Sequence, residues 1–273
     1  MDEDFLRLEG IEPGETSIVL AGIHGDERCG IEAIQKLLPQ LQITKGVVYI
    51  GYGNPRAIKE NVRFTEANLN RMFKDDTVLS SAEKTSYEYA RAQYIKTFMQ
   101  KADVLLDIHA SFTPQTRAFI ICEPNASDLA AQLPFNHIVS GFDAIEPGGT
   151  DYYMNSIGKT GISVECGYLG DPKATEKAEE TILSFLTARG HIPGKPLIRM
   201  SNQSHIQMDK HYLTETDSFR LSRPFADFED ISKGMLIGID GESNVYAEKD
   251  SVILFARDRQ SKGEEAFLLG EKR

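Results

Sequence analysis

His24 and Glu27 stand three residues apart in the stretch Ala21-Gly22-Ile23-His24-Gly25-Asp26-Glu27. An imidazole and a carboxylate at that spacing can converge on one metal ion, and Gly25 between them lets the chain bend and come close to whatever is bound. Two ligands do not make a site, so a third ligand and a catalytic group must come from later in the chain. His109 ends the apolar run ADVLLDI, and Glu165 follows the run ISV. Two histidines and one glutamate are the ligand set of zinc hydrolases, which keep a fourth position for water. A further carboxylate is then needed as general base toward that water, and Glu165 is the candidate. Each piece also has a plainer reading. His-x-x-Glu arises by chance, His109 suits a satisfied core histidine, and Glu165 suits an ion pair with an arginine.

The surrounding elements decide where these residues end up. Ser17 to Ile23 (SIVLAGI) reads as a buried strand, and Ile31, Ile34, Leu37, Leu38 and Leu41 then recur at helical spacing, which puts His24 and Glu27 at a strand-to-helix corner. Gly46 to Gly53 predicts a second strand, closed by the turn signal Asn54-Pro55. Residues 54–80 carry little periodicity and read as a long loop, a feature that in a compact domain is either functional or disordered. A helix is expected over 83–100, strands over 102–108, 118–122 and 162–164, and a helix over 172–189 with Pro172 in its first turn and Gly190 as its stop. Strands alternating with helices argue for α/β architecture with a largely parallel sheet. Ligands in such sheets gather at the carboxyl ends of strands, where His24, His109 and Glu165 all fall. After Gly190, Pro193 and Pro196 bracket a linker, and short alternating runs at 234–240, 243–247 and 251–256 predict a small β domain.

Composition narrows the function classes. A net charge of −11 argues against general nucleic-acid or anionic-membrane binding, since both need a basic face. No apolar run approaches the ~18 residues of a transmembrane span. The start MDEDFLRLEG lacks the basic lead and apolar core of a signal peptide, and Cys29, Cys122 and Cys166 have no metal-ligand spacing. Reduced thiols in a cytoplasm are the expectation.

Between the first two ligands and His109 lie Gly53-Asn54-Pro55-Arg56-Ala57, then Arg63, then Asn68-Leu69-Asn70-Arg71-Met72-Phe73. HGDE, GNPRA, NLNRMF, DIHAS and VECG, in that order over residues 22–167, resemble the motifs of the succinylglutamate desuccinylase/aspartoacylase family, a branch of the zinc carboxypeptidase superfamily. The resemblance implies a zinc-carboxypeptidase-like α/β domain over residues 1–195, its central mixed sheet flanked by helices, and a small β-rich C-terminal domain over 196–273. It implies one Zn2+ per chain on His24, Glu27 and His109, with Glu165 activating the water and passing its proton to the leaving amine. Arg63 matches an arginine that polarises the scissile carbonyl, and Asn70 and Arg71 match the pair that holds the substrate's carboxylate, a task suited to the planar guanidinium fork. Two departures stand out. Asn68 replaces the family's usual Asp, so the charge pairing that Asp provides is missing or replaced, and Ala110-Ser111-Phe112-Thr113 differs from the run that follows this histidine in the best-known members.

The expected activity is zinc-dependent hydrolysis of the amide bond of a small carboxylate-bearing molecule, an N-acyl amino acid. The alternatives are a metallocarboxypeptidase or peptide amidase using the same site, and a non-catalytic metal- or ligand-binding protein. A homo-oligomer is allowed by the sequence. Other motifs carry less. Gly158-Lys159-Thr160 lacks the glycine-rich lead of a phosphate loop, Cys166 after a buried strand reads as packing, and His205 and His211 read as surface or interdomain residues.

Overall fold

A computed structural model of the chain describes residues 4–196 and 203–273. Its strands are β1 (Phe5–Glu9), β2 (Glu12–Ala21), β3 (Lys45–Tyr52), β4 (Val104–Ser111), β5 (Phe119–Ile121), β6 (His137–Ser140) and β7 (Thr160–Tyr168), followed by β8 (Ser204–Leu213), β9 (Phe219–Leu221), β10 (Glu229–Ile231), β11 (Leu236–Asp240), β12 (Ser243–Tyr246), β13 (Ser251–Leu254) and β14 (Glu265–Lys272). Eleven of them form one sheet in the order β1-β3-β2-β4-β7-β5-β6-β8-β14-β13-β10, and β12-β11-β9 form a second. Pairing is parallel from β3 through β2 and β4 to β7, and from β5 through β6 to β8. It is antiparallel at β1–β3, at β5–β7 and from β8 onward. The sheet is therefore mixed.

Alternation along the central strands feeds two cores. Val19 and Ala21 of β2 and Val104, Leu106 and Ile108 of β4 pack with the helices Arg28–Leu37 and Ala174–Ala188 on one face. Ile18, Leu20 and Leu105 pack with the helix Tyr87–Met99 on the other. Every residue of β4 is buried, as a parallel strand covered on both faces must be.

The segment 54–80 holds more structure than its composition predicts. A helix at Pro55–Glu60 is started by Pro55 and by the Asn54 side chain, which accepts from the Ala57 N–H, and single 3-10 turns form at Leu69–Arg71 and Asp76–Val78. The helix expected over 83–100 is split by Thr85 and Ser86, with Ser80 and Ser86 each capping a new start. The C-terminal part holds the predicted strands at 236–240, 243–246 and 251–254. It also holds β8 and β14, which join it to the central sheet. Alternating Ile206, Met208 and Tyr212 carried a readable signal for β8.

Candidate active site

The corner after β2 is built by two glycines. Gly22 sits at φ +69°, and a Cβ on Gly25 would lie 2.1 Å from the Ala57 backbone carbon. Gly25 thus admits the helix Pro55–Glu60 to the corner, whereas the sequence suggested a close approach to a bound group. Backbone bonds from Asn54 N–H to Gly22 O (2.8 Å) and from Gly25 N–H to Arg63 O (3.3 Å) tie the corner to the polar segment.

This brings His24, Glu27 and His109 together, all buried, with one ligand atom from each lying within 4.8 Å of the others. His24 Nδ1 is 2.7 Å from Glu27 Oε1, and His109 Nδ1 is 2.8 Å from Glu27 Oε2. Each outer nitrogen lies near an oxygen. Asn68 Oδ1 accepts from the Asn70 N–H at 3.0 Å and lies 3.1 Å from His24 Nε2, so that nitrogen carries a proton. His109 Nε2 lies 3.1 Å from Asp107 Oδ2, which also accepts from Thr150 Oγ1 at 2.6 Å. His109 Nε2 makes no aligned hydrogen bond despite that proximity, whereas the Asn68 oxygen behind His24 is the kind of acceptor that backs a histidine ligand. Burial is the largest influence on His24 and pushes its pKa down, against the charge of Glu27. Burial also opposes charge on His109, but Asp107 and Glu27 outweigh it and hold its pKa well above the usual value. Glu27, despite its burial, is held well below the carboxylate range by the two histidines. Three buried donor atoms within 4.8 Å of one another can share a single cation. The donor set of two imidazoles and one carboxylate therefore fits a borderline divalent metal.

Glu165 comes from β7, directly opposite His109 of β4 in the parallel register. Its Oε2 is buried without a partner, and burial, followed by the charge of Glu27, raises its pKa to about 8. The plainer readings of His109 and Glu165 fare differently here: His109 faces two carboxylates, and Glu165 has no arginine within ion-pair distance among the described residues.

All seven residues singled out in the sequence line one cavity of about 480 Å³. Arg63 Nη1 donates to Glu27 Oε1 at 3.0 Å, with nearly a third of its side chain open to the cavity. Asn70 Oδ1 is buried without a partner, and Arg71 Nη1 donates to the Asn70 carbonyl at 2.8 Å. Arg71 Nη2 pairs with Glu146, which also lies 3.6 Å from His211. Asn68 itself stands behind His24 with a neutral amide oxygen, so no carboxylate replaces the family's Asp at that nitrogen among the described residues. His211, read as a surface or interdomain residue, lies on β8 beside Glu146.

Sequence reasoning missed Asp107, Glu146, Glu88 and Arg257. Asp107 and Glu88 are fully buried acids, a rare state unless partnered. That burial becomes visible only once the sheet is assembled.

A mixed α/β sheet with two imidazoles and a carboxylate converging at its strand ends, and a further carboxylate on the next strand, defines a carboxypeptidase-like domain. The family model of the succinylglutamate desuccinylase/aspartoacylase catalytic domain matches residues 13–189, and the chain belongs to that family. It is similar to a succinylglutamate desuccinylase of Idiomarina loihiensis, 24% identical over 305 residues covering 98% of this chain and 86% of the relative. It is also similar to a rat N-acyl-aromatic-L-amino acid amidohydrolase, 30% identical over 184 residues covering 59% and 55%. Among solved structures, a succinylglutamate desuccinylase from Vibrio cholerae superposes with a TM-score of 0.80 at 18% identity, covering 98% of this chain and 85% of that one.

Proposed function

We propose that this protein is an N-acyl amino acid deacylase holding one Zn2+ on His24, Glu27 and His109. The observation that carries the reading is the meeting, in one cavity, of two Nδ1 atoms on one carboxylate, an unpartnered buried Glu165, and the polar groups of Arg63, Asn70 and Arg71. The metal would supply Lewis acidity toward the amide carbonyl and a lowered pKa for water. Glu165, poised by burial to hold or release a proton near neutral pH, takes a proton from the attacking water and delivers it to the departing amine nitrogen. Arg63 donates to the carbonyl oxygen as negative charge builds there. Asn70 and Arg71 hold the free carboxylate of the amino acid, and the guanidinium keeps donors for it beyond those given to Asn70 and Glu146.

The cavity favours a small substrate over a peptide. Arg257, Arg259 and Gly263–Glu265 of the C-terminal part wall it, leaving about 480 Å³. A water-soluble acyl amino acid is a cytoplasmic metabolite, and that is the location proposed. The test is amine release by the zinc-loaded protein from N-succinyl and N-acetyl amino acids set beside dipeptides and short peptides, with Glu165→Gln as blank. Cleavage confined to acyl amino acids is expected. Cleavage of the peptides alone would move the protein to the carboxypeptidase reading.

A further inference from the structure

Of the four arginines that line the cavity, three are engaged. Arg63 donates to Glu27, Arg71 pairs with Glu146, and Arg259 lies 3.9 Å from Glu264. Arg257 is not. Its Nε is buried without a hydrogen-bond partner, and among the described residues no carboxylate lies within ion-pair distance of its guanidinium. Half withdrawn from water and without a direct ion pair, it has its pKa lowered to about 9 by burial and then by the charges of Arg259 and Arg63, with Glu265 and Glu264 opposing from a greater distance.

Its position is held rather than incidental. The guanidinium carbon sits 3.7 Å from the centroid of the Phe112 ring, and Phe112 lies 5.5 Å from Phe255, ring to ring. Asp227 joins the two supports by accepting from Thr116 Oγ1 and from the Phe255 N–H, both at 2.7 Å. The cavity wall here runs from the end of β4, which carries His109, across two aromatic rings to a bare guanidinium.

We propose that Arg257 is a specificity residue for the acyl end of the substrate, docking a carboxylate at the tip of a short acyl chain whose methylenes lie on Phe112 and Phe255. With the amino acid's carboxylate at Asn70 and Arg71 and the reacting carbonyl at Arg63 and Glu165, the remaining end of the substrate is the acyl group. This rests on the deacylase reading. Arg257 touches substrate without taking part in bond making.

The test compares N-succinyl and N-acetyl forms of one amino acid on the zinc-loaded wild type, Arg257→Gln and Arg257→Lys. Loss of one charge-assisted contact is expected to cut kcat/KM for the succinyl substrate by about 10- to 100-fold. The acetyl substrate should change little, and Lys should restore part of the loss. An equal fall on both substrates, or none on either, overturns the assignment. Calorimetric binding of free succinate against butyrate separates this proposal from the activity it rests on. If no acyl amino acid is cleaved but wild type prefers succinate and Arg257→Gln does not, the deacylase reading fails and the docking role stands. If succinate binding is absent or is untouched by Arg257→Gln, the docking role falls.

Discussion

Glu88→Gln is expected to loosen the polar segment that carries Arg63, Asn68 and Asn70. Glu88 is fully buried in the first turn of the helix Tyr87–Met99, where the helix N-terminus favours a negative charge. Its Oε1 accepts from Thr65 N–H at 2.8 Å, Thr65 Oγ1 at 2.7 Å and Asn54 Nδ2 at 3.1 Å. Its Oε2 accepts from Glu66 N–H at 3.2 Å and Ala67 N–H at 3.1 Å. One carboxylate thus clamps the backbone between Arg63 and Asn68 to the asparagine that caps the helix Pro55–Glu60. In the glutamine variant the amide nitrogen must replace one oxygen. The cheaper choice is Oε2, which turns two acceptor contacts into donor–donor clashes and leaves the other bonds without their charge. At roughly 1–2 kcal/mol for each lost bond, the expected destabilisation is about 3 kcal/mol. For a protein of this size that is about 5 °C in Tm. The hydrogen bonds outweigh burial and hold the Glu88 pKa below its usual value. Its contribution is therefore present above the unfolded carboxylate pKa and is lost as pH falls through the lower folded one. Urea unfolding at pH 7 and pH 4, with kcat/KM measured alongside, checks this. A variant within about 0.5 kcal/mol of wild type at pH 7, with unchanged kcat/KM, would show that the clamp holds nothing in place.

Three further outcomes are expected. Glu165 must be ionised to act as a base, and burial has raised its pKa, so kcat/KM should rise with pH along an acid limb above the ordinary carboxylate value; a nearby dication sets that limb below about 8. A rate flat down to pH 4.5 would remove Glu165 from the base role. Zn2+ added to metal-free protein at about 100 times its Kd should stabilise it by ~2.7 kcal/mol in thermal unfolding, and His24→Ala should abolish most of that gain; an equal gain in the variant would move the metal elsewhere. Residues 1–195 expressed alone are expected to be insoluble, because removing β8 leaves β6 as a bare parallel edge and uncovers Phe119, Ile121 and Val139. A soluble, cooperatively folding fragment would show that the two parts are energetically independent.

The sequence determined what is local. Apolar alternation and helical spacing placed β2, β3, β4 and β7 and the helices that follow them, because a strand buried on both faces admits little but apolar residues. His24 and Glu27 were legible for the same reason, since three residues at one corner need no tertiary contact to be neighbours. His109 and Glu165 were legible as strand ends, and the motif order supplied the family. Tertiary structure alone decided what closes around them. Asp107 faces His109 from within the same strand, yet only the fold shows that it is buried and bonded to Thr150. Glu146 meets Arg71 across 75 residues, from a loop with no periodic signal. Arg257 reaches the cavity because β8 and β14 extend the catalytic sheet into the C-terminal part and carry its loop over the strand ends. Side-chain charges separated that far in sequence are paired or left unpaired by the packing of the sheet, and no spacing along the chain records which.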